Sequence, residues 1–197
     1  MRIAFGARAH SGWAALVALG DGDEGLVVTD RRRIELAGDR PGNQPYHAAQ
    51  PLGPAEARAV VARGIAAADR LATQELRAAV KRARDQGHEV AASAVLVGAA
   101  MPDWSVDEIL AVHFRMHQAE GALFRDALVR ATAACGLQLV ALPEKVLTRD
   151  ASRALAMTPV ALAKQMAALG KSVGPPWGKD QKEAALAALV ALRSQPV

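Results

Sequence analysis

Residues 54–97 constrain the fold more than any other part of the chain. From 54 to 86 the sequence is rich in Ala, Arg and Glu without internal proline, and Gly87 stands where a helix closes in the left-handed region. This predicts one long helix with Gly64 as its weak point. An apolar run follows directly in 88–98, where Val90, Val95, Leu96 and Val97 carry the pattern of a buried central strand. A strand reached through so long a helix pairs in parallel with an earlier strand by a right-handed crossover.

That earlier strand lies near the start. Residues 3–5 and 13–19 read as extended apolar segments interrupted by the polar stretch 8–11, and a Gly- and Asp-rich turn at 20–25 leads into 26–36, where Val27, Val28, Thr29 and Ile34 favour a strand. Residues 37–53 carry Pro41, Pro45 and Pro51 and are predicted as loop. A second long helix is predicted from Ser105, with Glu108 completing a capping box, to Gly136. Residues 137–142 follow as another buried strand, and helices are predicted over about 151–169 and 179–192. The expectation is a single α/β domain over residues 1–197: a mixed five-stranded sheet in three layers, with helices on both faces.

Charge and composition narrow the class only slightly. An excess of 24 basic over 20 acidic residues gives +4, which makes nucleic acid an admissible partner. The one dense basic cluster, Arg31-Arg32-Arg33, reads as a solvated strand end, and three Trp, one Tyr and three Phe leave little for base stacking. The longest apolar stretch, 90–102, is shorter than the roughly 20 residues that cross a bilayer. Arg8 and His10 interrupt any signal sequence, and the lone Cys135 suits a reducing compartment. A cytoplasmic protein without membrane contact is expected.

Two short stretches carry a resemblance. Phe5-Gly6-Ala7-Arg8-Ala9-His10-Ser11-Gly12-Trp13 has the length and the Ser-Gly-Trp ending of a first-strand motif, and Asp180-Gln181-Lys182-Glu183-Ala184-Ala185-Leu186-Ala187 is an acidic start to an alanine-rich helix. With the element order, these resemble the ribonuclease H-like superfamily and, distantly, its RuvC-type Holliday junction resolvases. The resemblance implies a three-layer fold and sets Glu183 at a catalytic carboxylate. It also sets Phe5 where a metal-binding Asp belongs, and leaves Ser93 as the polar residue of a strand that carries a Glu. Two of three anchoring carboxylates are then absent, and two-metal cleavage is not expected, because it needs several anionic oxygens around cations about 4 Å apart.

On a helix turning about 100° per residue, His113, His117 and Glu120 fall within an arc of about 60° shared with Ile109, Leu110, Phe124 and Leu128. Polar groups turned into such a stripe need partners. Their spacing would let two imidazoles and a carboxylate hold a metal ion with a water in fourth place, or let an imidazole oriented by Glu120 act as general base, or form a buried network that fixes helix packing or a dimer interface. No metal or cofactor is assigned to them.

Arg8 and His10, placed in the turn between the first strand segments, would give a cleft an anion-binding edge together with Glu183 or the helix cluster. Asp180 and Glu183 would equally serve as helix-start caps, although Glu183 shares a face with Leu186 and Val190. Glu144 follows the last strand, where open α/β sheets gather ligands. The sequence thus points to a binding or assembly module, dimeric through a long helix. The alternative is a hydrolase or nucleic-acid-processing enzyme using His113, His117 and Glu120 with Arg8, His10 or Glu183.

Overall fold

The computed structural model describes residues 1–23, 25–38 and 42–194. Residue 24 of the predicted turn and residues 39–41 of the predicted loop lie outside them. Strands β1 (Arg2–His10), β2 (Trp13–Gly22) and β3 (Gly25–Glu35) form an antiparallel meander. β4 (Glu89–Val97) pairs in parallel with β1, and β5 (Gln138–Pro143) in parallel with β4, giving the order β3-β2-β1-β4-β5. The mixed five-stranded sheet expected from the sequence is present. α1 (Pro45–Ala49), α2 (Pro54–Asp85), α3 (Val106–Leu110) and α4 (His113–Ala134) serve one face; α5 (Leu147–Leu155), α6 (Pro159–Val173) and α7 (Lys179–Arg193) serve the other.

Strand alternation divides the core in two. Ile3, Phe5 and Ala7 of β1 pack with Leu76, Phe124 and Leu128 of α2 and α4. Ala4 packs with Leu96 of β4 and with Ala184, Ala187, Ala188 and Ala191 of α7. Gly6 shares that second face, and a Cβ built on it would lie 2.0 Å from the Ala184 carbonyl oxygen and 2.6 Å from Ala188 N. Its missing side chain lets α7 lie directly on the sheet.

Several expectations are corrected. Arg8 and His10 end β1 and do not lie in a turn; the turn is Ser11-Gly12, with Gly12 at φ 82°. The predicted loop 37–53 holds α1, because Pro45 starts a helical turn whose Tyr46 and Ala49 are buried. Gly64 is where α1 meets α2: a Cβ there would lie 2.5 Å from Pro45 Cβ. The single helix from Ser105 is two helices. Its capping box starts the short α3, and Val112, at φ −135° and ψ 112°, is extended and restarts the chain as α4. β5 is half-exposed, since it is the sheet's edge. The helix predicted at 151–169 is likewise split, by Ala156 in the left-handed region and by Thr158, whose side chain caps α6. No helix among the described residues is long and apolar enough to cross a membrane.

Candidate functional site

The parallel strands β1, β4 and β5 end on one edge of the sheet, and the start of α7 is brought there by its preceding loop. Arg31 of β3 donates to the carbonyls of Gly174 (2.7 Å) and Pro176 (2.6 Å). Trp177 packs where a Gly170 side chain would stand, with Nε1 donating 2.8 Å to the Met166 carbonyl. Gln181 Oε1 accepts from Gly178 N–H at 2.9 Å. Gln181 therefore meets the free start of the helix, and Asp180 and Glu183 turn inward as ion-pair partners.

They meet Arg8, which is 9% exposed. Its Nη2 donates to Glu144 Oε1 at 2.7 Å, and Nη1 donates to Asp180 Oδ1. Nε lies 2.7 Å from Glu183 Oε2, an ion contact without hydrogen-bond alignment. Burial alone would lower the Arg8 pKa. Hydrogen bonding to Glu144 and the charges of Glu183, Glu144 and Asp180 outweigh it and hold the guanidinium above its ordinary value. Burial would likewise raise Glu144 and Asp180, but Arg8 pulls Glu144 down, and His10 followed by Arg8 pulls Asp180 down. Three carboxylates surround one guanidinium at the strand ends, and Lys179 Nζ lies 3.7 Å from Glu183 Oε1.

The same edge carries aromatic and basic groups. His10 Nε2 is 3.0 Å from Asp180 Oδ1, and the ring stacks on Trp13 at 4.4 Å between centroids. The Arg33 guanidinium lies 4.3 Å from the Trp13 centroid, and that of Arg115 lies 4.4 Å from Trp104. Beyond β4 opens a cavity of about 520 Å³ walled by Gly98, Trp104, Ala122 and Arg125.

The helix trio is only partly as expected. Glu120 is buried at 3% exposure, but His113 and His117 are exposed, and the first turns of α4 bury Met116 and Ala119 instead. Their Nε2 atoms are 3.1 Å apart. Glu120 meets neither of them. Both its oxygens lie 2.8 Å from Nδ1 of His47 on α1, and Oε1 also accepts the His47 backbone N–H at 3.1 Å. Nitrogen atoms of His47, His113 and His117 all fall within 4.8 Å of one another. Sequence reasoning missed His47 because it sits in a proline-rich segment taken as loop; the helix-starting Pro45 was the available signal.

No protein-family model matches the sequence, and no curated protein matches it. Among solved structures, the chain is similar to RuvC of T. thermophilus in complex with a Holliday junction substrate, with 11% identity, 96% of this chain and 92% of that chain covered, and a TM-score of 0.51. A second T. thermophilus RuvC structure gives 13% identity over 95% and 92% of the chains, with a TM-score of 0.48. The fold is ribonuclease H-like. Within this ribonuclease H-like sheet, Phe5 points to the α2 and α4 layer, away from α7, and the β1 side chains that reach the α7 carboxylates are Arg8 and His10.

Proposed function

We propose that residues 1–197 act as one nucleic-acid-binding module of ribonuclease H-like fold that does not cleave by a two-metal mechanism. The observation that carries this reading is the Arg8 guanidinium held between Glu144, Asp180 and Glu183. Two cations in such a place would need those same oxygens free, and a permanently charged guanidinium already engages them. The buried Ser93 on β4 adds no anionic ligand. Nucleic acid is the partner class favoured by the likeness to a junction-bound RuvC and by the Arg33–Trp13 and Arg115–Trp104 stacks along the strand-end edge. Cations of this kind meet phosphates while aromatic faces take unpaired bases.

The test is binding of a four-way DNA junction and of single-stranded DNA by fluorescence anisotropy at several salt concentrations, with product analysis in magnesium and in manganese. Salt-dependent binding with intact DNA is expected. Metal-dependent cleavage abolished by Glu183→Gln would overturn the reading.

A second reading rests on the imidazole group at α1 and α4. The contact between His113 and His117 and the Glu120 support of His47 favour an acid–base role for this cluster in a hydrolase or nucleic-acid-processing enzyme.

A further inference from the structure

We propose that His47, His113 and His117 form a three-histidine site for a divalent transition metal of the zinc class, with Glu120 fixing His47 from behind. The inference stands apart from the reading of the Arg8 cluster and concerns different residues on the other face of the sheet.

Two helices assemble the site. His113 and His117 are one turn apart at the start of α4, so their rings rise on the same side, with centroids 4.6 Å apart. Proline-started α1 brings His47 against them, with centroids 5.2 Å from His113 and 4.8 Å from His117. Zinc–nitrogen bonds of about 2.0–2.1 Å in a tetrahedron place neighbouring nitrogens roughly 3.4 Å apart. The 3.1 Å Nε2–Nε2 contact of His113 and His117 already meets that spacing. The span of 4.8 Å across all three closes with small ring rotations of the exposed His113 and His117 toward His47.

Glu120 gives the cluster a direction. With Nδ1–H of His47 donating to the buried carboxylate, the Nε2 lone pair of His47 is left for a metal, as in carboxylate-histidine-metal arrangements. The charge balance agrees. Among the described residues Glu120 pairs with no Arg or Lys, and its ionic partner is His47. A dication over three neutral imidazoles would compensate that buried negative charge.

An all-imidazole donor set suits zinc, cobalt, nickel or copper, and not magnesium or calcium, which take oxygen ligands. Three protein ligands at an exposed helix end leave a fourth position to water, the form of zinc site that activates water or polarises a bound oxygen.

The test uses the full chain, stripped with a chelator and titrated with zinc by calorimetry and with cobalt by visible absorption. One metal per chain is expected, with the cobalt spectrum of a tetrahedral nitrogen-rich site. His113→Ala and His117→Ala alter exposed side chains and should leave the thermal melt unchanged while weakening zinc binding by about 100-fold or more. Glu120→Gln should weaken it by about 10- to 100-fold. His88→Gln, at the other end of β4, should leave it unaltered. Absence of stoichiometric zinc and cobalt binding, or stoichiometric binding that survives in the His113→Ala/His117→Ala double variant, would overturn the proposal.

Discussion

Gly6 of β1 lies beneath Ala184 of α7 so closely that a Cβ at residue 6 would fall 2.0 Å from the Ala184 carbonyl oxygen. This contact sets the height of α7 above the sheet, and with it the reach of Asp180 and Glu183 to Arg8. Gly6→Ala must displace the helix backbone and should destabilise the fold by about 3 kcal/mol. Urea unfolding followed by circular dichroism measures this; a loss under about 0.5 kcal/mol would mean that the helix sits elsewhere.

Arg8→Met removes the cation from three carboxylates. The cost at neutral pH should be about 2 kcal/mol, less than for a fully buried group because each carboxylate keeps about a quarter of its surface in water. The sign with pH follows from Glu144 and Asp180, both held below their ordinary values of 4.5 and 3.8. Groups with depressed folded values stabilise the native state above the unfolded values and lose that contribution as pH falls through the folded ones. The difference between wild type and variant should therefore be full above about pH 5 and shrink on acidification below about pH 4. Thermal melts over a pH series give this difference directly.

Arg33→Ala and Arg125→Ala remove cations from the strand-end edge and keep the direct partners of Arg8, although Arg125 also acts on Glu144 through its charge. Each should weaken DNA binding similarly for junction and single strand, and reduce the salt slope of log K by about 1. Anisotropy titrations at four salt concentrations measure both quantities. Unchanged slopes would place the DNA on another surface.

Gly64→Ala tests the seat of α1. Alanine favours a helix interior by about 1 kcal/mol over glycine, yet its Cβ would meet Pro45 at 2.5 Å and push α1 outward. The melt should move little while zinc affinity falls by about tenfold, because His47 travels with α1. Calorimetric zinc titration reads the effect.

Much of the architecture was legible in the sequence, because long proline-free helices between apolar runs leave few ways to build a sheet. The parallel β4 and β5 and the helices α2 and α7 follow from that pattern. What periodicity could not supply was the break at Val112: a β-branched residue is tolerated in a helix, and neither Gly nor Pro marks the exposed, extended residue at which α4 restarts. The helix stripe sets His113 and His117 inward with Glu120, whereas of the three only Glu120 is buried. Arg8, His10 and Glu183 were visible as candidates, but their union with Glu144 and Asp180 spans residues 8 to 183 and depends on close packing at Gly6. His47 was hidden because a five-residue helix has too few turns to show a period.

In the proposed module a guanidinium takes the part of cations at the strand ends. Manganese titration of the isotopically labelled wild-type protein, followed by paramagnetic broadening of backbone amide signals, tests this most directly. No selective broadening at Glu144, Asp180 and Glu183 is expected at millimolar manganese. Broadening centred on those three residues would contradict it.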